Sequence, residues 1–381
     1  ILAFSTVYSM NGWMIANQLN MIWQDALILL PLIIWGLLKL IYQNRVGTYI
    51  SWLAVMLIDN YYMGWMIAIF TFLFFLWQTP ALASWRQRGV IFLRYLSSSL
   101  LAAGISAVIL LPTFYALMQS KGTYTETKIH SRFEYFAPKM LGKLVPGSFN
   151  FNQMPSGQPN IYIGMLLMLG ACLYFFNNRF DLRRRLIGAA ISIFFIFSFC
   201  YEPLDLLWHA GQFPVWYPYR FSYLFSFWCI YLAAKVLQPD FKIKKRSAMI
   251  LTLLIIAVYW YVGTLNLSYI NSNQRNIGLC FALIAVSCLC IPRTNSPRLY
   301  DALLVLLAVC DISMSGYTAL NKISYVSQPE FGNYTLALDK SVEKLKKHDP
   351  GFYRVAKTFM RTKDDPFQAD FNSGDHFGST L

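Results

Sequence analysis

Long apolar blocks separated by short polar connections occupy residues 1–316. In order they cover about 1–18, 26–42, 47–59, 64–78, 90–117, 159–176, 185–201, 219–237, 247–267, 275–291 and 299–316. The runs from Ile161 to Phe176 and from Ala248 to Leu265 lack the two-residue alternation of a barrel strand. A bilayer offers the backbone no hydrogen bonds, so such blocks have to be helices. The pattern therefore predicts an all-α polytopic membrane protein with about eleven transmembrane helices. Several blocks fall short of the ~20 residues of a straight span. The block 90–117 is long enough to lie tilted or to emerge beyond the bilayer.

Past Gly316 the pattern changes. Residues 333–348 put Leu338, Val342 and Leu345 on one face of an amphipathic helix, with Glu343 four residues before Lys347. Asp349-Pro350-Gly351 breaks that helix, and Phe352-Tyr353-Arg354-Val355 begins an alternating, strand-like stretch. The chain thus divides into a transmembrane domain, 1–316, and the beginning of an extracytoplasmic α/β domain, 317–381. Ile1 already stands within an apolar block, and Gly378-Ser379-Thr380-Leu381 carries no terminating signal. We read the chain as a piece of a longer protein.

Composition agrees with the pattern. Only 13% of residues are charged and 56% are hydrophobic, against ~25% charged in soluble domains. Mean hydropathy is +0.43. Alternate connections carry the positive charge: Lys39 and Arg45; Arg86, Arg88 and Arg94; Arg179 with Arg183–Arg185; Lys242 with Lys244–Arg246; Arg293 and Arg298. The positive-inside rule turns these toward the cytoplasm and leaves the C-terminal tail on the extracytoplasmic side of the membrane. The formal charge of +14 is then a signal of topology and of contact with anionic lipid, not of nucleic-acid binding. All seven cysteines lie in apolar runs and read as small hydrophobes. No cofactor is identified, and nothing in the sequence points to a divalent metal.

Polar residues at the opposite face are the functional candidates, because ionisable groups near the bilayer are costly. In 17–25 the lone carboxylate is Asp25, beside Trp23. The turn 59–64 offers Asp59, Asn60, Tyr61 and Tyr62, a set able to hydrogen-bond a sugar. Residues 202–223 contain His209, Gln212, Trp216, Tyr219 and Arg220, and the Arg220 fork suits two phosphate oxygens. The long loop 119–160 holds Lys121, Lys128, Arg132, Lys139 and Lys143 against Glu126 and Glu134, and returns through Asn160 and Tyr162. Its excess of cations suits a phosphodiester head group or polymer. Each cluster also has a plain structural reading as helix cap, aromatic belt or solvated face.

An ordered set of motifs carries a resemblance. Trp23-Gln24-Asp25 with Pro31-Leu32, Asn60-Tyr61 with Gly64, and Leu111-Pro112 with Ser120-Lys121 lead. Pro159 to Gly164, Pro214 with Tyr219-Arg220-Phe221-Ser222, and Phe352-Tyr353-Arg354 follow. Together they resemble the bacterial YfhO membrane proteins over essentially the whole chain. The resemblance implies a GT-C glycosyltransferase fold and glycosylation of lipoteichoic acid or a related wall polymer in Gram-positive bacteria. The implied donor is an undecaprenyl-phosphate-linked sugar, and the implied acceptor an anionic wall polymer. Enzymes of that fold place a catalytic acid in the first outer loop, which would precede Ile1. Asp25 and Asp59 are the catalytic candidates in hand, and Asp59 stands where the family pattern has a serine or threonine. Arg220 and Lys121 are the candidates for the donor phosphate. Two other readings stay open: a transporter or flippase of lipid-linked saccharides, and a non-catalytic membrane protein that binds wall polymer.

Overall fold

The computed structural model describes residues 1–81, 84–119, 129–214, 216–238, 241, 243–291, 297–323, 327–348 and 351. By its internal contacts the chain forms two units, Ile1–Leu320 and Asn321–Leu381. Among the described residues the regular elements are all helices, with one isolated antiparallel bridge between Phe133 and Tyr201.

Every expected apolar block of the first unit coincides with helix, though not always with one helix. The block 1–18 is two short helices, α1 (Leu2–Ser9) and α2 (Gly12–Ala16). Asn11 causes the break: its Oδ1 accepts the Trp13 and Met14 backbone N–H groups, while its Nδ2 donates to the Tyr8 carbonyl. Then follow α3 (Gln24–Gln43), α4 (Gly47–Asp59) and α5 (Tyr61–Gln78). The long block 90–117 is neither one tilted helix nor a straight one. It comprises α6 (Trp85–Ile105) and α7 (Ala107–Gln119), bent by 73°. At the bend Ser106 Oγ donates to the Ala102 and Ala54 carbonyls, tying the break to α4.

Beyond the long loop lie α8 (Met165–Tyr174), α9 (Leu182–Ser198) and α10 (Glu202–Trp208). They are followed by α11 (Ser222–Val236), α12 (Lys245–Thr264), α13 (Ser272–Cys290) and α14 (Pro297–Leu320). Among the described residues five helices are long and apolar enough to cross a membrane, or six if the bent pair is one span. The remaining apolar helices α4, α8 and α11 are shorter than a straight crossing requires. In the second unit α15 (Gln328–His348) realises the expected amphipathic helix and begins earlier than its periodicity suggested. The strand-like stretch from Phe352 onward lies outside the described residues.

Close backbone approach sets the packing. Helix α3 meets α4 at Gly36, where a Cβ would lie 2.7 Å from Tyr49 Cα. Helix α8 packs chiefly on α11, and its N-terminus is fixed from α14. There Asp311 accepts the Tyr162 hydroxyl at 2.5 Å and the Met165 N–H at 2.6 Å. The turn into α8 needs Gly164, whose φ is +74° and whose missing Cβ leaves room for Asp311.

Several connections gather at each of two ends. At the basic end Tyr42, Gln78 and Arg184 share hydrogen bonds across three connections. At the other end Trp23 meets Tyr217, Asn60 donates to the Ile22 carbonyl, and Gln274 donates to the carbonyls of Pro146 and Gly147. Tyr217 N–H reaches the Met154 carbonyl, joining the loop 202–221 to the loop 129–164.

Candidate functional site

Two neighbouring constellations occupy the end opposite the basic loops. The first is built around Arg220. Its Nε and one terminal nitrogen donate to the carbonyls of Tyr217 at 3.3 Å and Trp216 at 2.8 Å. The other terminal nitrogen donates to the Tyr62 hydroxyl at 3.2 Å. The guanidinium lies 4.6 Å from the Trp23 ring centroid and 5.3 Å from that of Tyr62. Stacking on two rings is what a weakly hydrated planar cation does well. These three bonds use three of the five guanidinium N–H groups, leaving two for a ligand.

The turn that carries Arg220 is strained. Tyr217 and Tyr219 both hold positive φ, +54° and +55°, a region uncommon for residues other than glycine. Such strain costs roughly 1–3 kcal/mol per residue and persists only where the surroundings hold it. Here Arg220 binds the turn's own carbonyls, and the Trp13 indole donates to the Arg220 carbonyl at 2.7 Å.

The second constellation is an acidic cleft of about 620 Å³. Glu134, Glu202, Asp205, Arg132, Tyr219 and Pro218 contribute to its walls. The backbone builds it by pairing 132–134 with 200–202: Glu134 N–H donates to the Cys200 carbonyl and Glu202 N–H to the Arg132 carbonyl. The three carboxylates then meet different partners. Glu202 is buried and accepts from Arg132 Nε at 2.6 Å and from the His130 backbone N–H at 2.8 Å. Burial alone would raise its pKa, but these donors hold it below the usual carboxylate range. Asp205 is also buried; its Oδ1 has no hydrogen-bond partner and lies 3.4 Å from His209 Nδ1.

Glu134 differs from both. One flank of the residue is exposed, while its carboxylate turns inward and accepts the Tyr219 hydroxyl. Burial of the carboxyl pushes its pKa up to about 7; Asp205 adds to the shift and the Tyr219 bond opposes it. A carboxylate tuned toward neutrality in a cleft fits a general base.

The sequence candidates divide accordingly. Trp23, Tyr62, Trp216 and Arg220 converge, with the His209 ring 6.1 Å from Tyr62. Tyr219 joins the cleft through Glu134. Asn60 serves as the N-cap of α5, accepting from the Met63 N–H. Tyr61 is exposed, and Gln212 donates its backbone N–H to the His209 carbonyl. Asp25 and Asp59 are exposed at helix ends, Asp25 in the first turn of α3 where the helix dipole favours it. Neither lines the acidic cleft. Tyr162 is buried against Asp311, away from both constellations. Lys121 lies outside the described residues.

Glu134, Glu202 and Asp205 are functional candidates that sequence reasoning passed over. Glu134 reads in sequence only as a counter-charge in a cationic loop. The signal available was Glu202-Pro203-Leu204-Asp205, two acids packed into a short connection before an aromatic run.

A family model described as "Bacterial membrane protein YfhO" matches residues 1–381. No curated protein and no solved structure matches the chain.

Proposed function

The chain belongs to the YfhO family of bacterial membrane proteins, and from that premise we propose that it is a GT-C type glycosyltransferase. It transfers a sugar from an undecaprenyl-phosphate-linked donor to an extracytoplasmic wall polymer such as lipoteichoic acid. The alternation of basic connections along the sequence supports placing both constellations and the residues after Gly316 outside the cytoplasm.

The observation that carries this reading is Glu134, a carboxylate with a pKa of about 7, beside a turn that ends in Arg220. In the proposed reaction Glu134 takes the proton of the acceptor hydroxyl as that oxygen attacks the anomeric carbon. The bond from this carbon to the phosphate oxygen breaks, and polyprenyl phosphate leaves. The two remaining N–H groups of Arg220 offer the phosphate a bidentate contact. Trp216, partly exposed beside Arg220, offers an aromatic ring suited to stacking on a sugar, while Trp23 and Tyr62 hold the guanidinium.

Transfer is tested with full-length protein in detergent micelles, a polyprenyl-phosphate sugar labelled in the sugar, and a wall-polymer acceptor. Micelles enclose no compartment, so a flippase yields no product there. Label should enter the acceptor with wild-type protein and fall by about 10²–10⁴-fold with Glu134→Gln. Equal transfer by the variant would remove Glu134 from the reaction; no transfer by wild type would remove the transferase reading.

A further inference from the structure

At the basic end the ends of α3, α5, α9 and α11 enclose a pocket of about 360 Å³, within the range of small-molecule sites. Three cations line it, Lys39, Arg184 and Lys235. No carboxylate is among its lining residues; Asp181, the nearest acid in sequence to Arg184, instead caps α9 by accepting the Arg183 N–H.

The cations are held by neutral groups. Lys39 Nζ lies 3.3 Å from the Trp35 ring centroid, and Lys235 Nζ 5.3 Å from that of Tyr231. One Arg184 terminal nitrogen donates to the Tyr42 hydroxyl at 3.1 Å and to Gln78 Oε1 at 3.4 Å. Arg184 Nε is shielded from water yet makes no hydrogen bond. Collecting three positive charges costs Coulomb energy unless an anion joins them. The half-exposed Trp35 indole forms one wall of the pocket.

We propose that this pocket binds the phosphate head group of a membrane lipid, in the leaflet opposite the acidic cleft. Lys39 and Lys235 flank the phosphate and the Arg184 fork donates to its oxygens, while the acyl or prenyl chain runs along Trp35. The site is independent of the transferase reading, since it lies at the other end of the bundle and involves no reaction.

Binding is read by native mass spectrometry of the full-length protein with four probes: phosphatidylglycerol, polyprenyl monophosphate, phosphatidylcholine and inorganic phosphate. The anionic lipids should be retained. Lys39→Gln with Lys235→Gln should weaken them about thirtyfold, at ~1 kcal/mol for each lysine near an anionic surface. Both lysines sit at the protein surface or its margin, so the folded state should survive. Arg184→Lys keeps the charge without the fork and should lose less than Arg184→Gln. Unchanged lipid binding in the double variant, or equal retention of phosphatidylcholine, would overturn the proposal. Inorganic phosphate binding as tightly as the lipids, with the same sensitivity to the variants, would replace the lipid with a soluble anion.

Discussion

The Tyr219 hydroxyl donates to the Glu134 carboxylate across the junction of two loops that lie 85 residues apart in sequence. This bond stabilises the ionised form, while burial and Asp205 oppose ionisation. Removing the hydroxyl should therefore raise the Glu134 pKa further. If Glu134 is the base, the wild-type rate rises with pH through about 7 as the carboxylate forms. Tyr219→Phe should move that limb to higher pH and leave the plateau rate largely intact. A pH–rate profile decides it, and an unmoved limb would separate Tyr219 from the titration.

Glu202 is shifted the other way. Its folded pKa lies below the ordinary value of 4.5, so its contribution to stability is complete above that value. The contribution is lost as pH falls through the folded pKa, when the Arg132 and His130 bonds weaken. Glu202→Leu removes the acceptor and strands the His130 N–H, at a cost of about 1–3 kcal/mol. Hydrogen exchange should accelerate in 130–135 and 200–205 in this variant. Equal exchange rates would show that the pairing of the two loops does not depend on the carboxylate.

Asp311 should be a structural residue. It accepts from Tyr162 and the Met165 N–H and is almost wholly buried. Asp311→Leu leaves two buried donors without an acceptor, which costs roughly 2–5 kcal/mol. Asp311→Asn keeps an acceptor oxygen and should lose less. Thermal unfolding in detergent orders the three proteins, and a Leu variant as stable as wild type would contradict the pinning role.

Gly36 should tolerate no side chain. A Cβ there would stand 2.7 Å from the Tyr49 backbone, so α3 and α4 would have to separate. Gly36→Val should destabilise by about 1–3 kcal/mol or more. Gly47→Ala, where a Cβ meets nothing within 4 Å, is the matched control. Helix propensity favours both substitutions over glycine, so a Gly36→Val protein as stable as the control would contradict the packing role.

Much of this architecture is legible in the sequence because a bilayer reduces the choices. Apolar blocks become helices, and basic connections gather at one end, as Tyr42, Gln78 and Arg184 do. Breaks inside a block are harder to see. Asn11 ends a helix by offering its side chain to two N–H groups, and Ser106 marks a 73° bend. Neither interrupts hydrophobicity, so an average over the block misses them. The Arg220 cluster was visible as density of aromatics beside a cation. The acidic cleft was not, because it depends on pairing 132–134 with 200–202, a long-range register that no local pattern encodes.

Helix α8 has 10 residues, a rise of ~15 Å, against a hydrocarbon layer ~30 Å thick. Its C-terminal end leads into Arg179 and Arg183–Arg185, which anchor at the basic interface. Measured from that interface, α8 reaches about half the thickness of such a layer, and the extended run 157–164 takes over there. Backbone without helical bonds survives in such a layer only when protein encloses it, and this run is largely buried, with Tyr162 donating to Asp311 of α14 and its carbonyl accepting the Gly12 N–H. The polar end is therefore a sunken floor. A lipid-linked substrate could keep its chain among its neighbours and slide its head group sideways onto that floor, without being lifted out of the membrane.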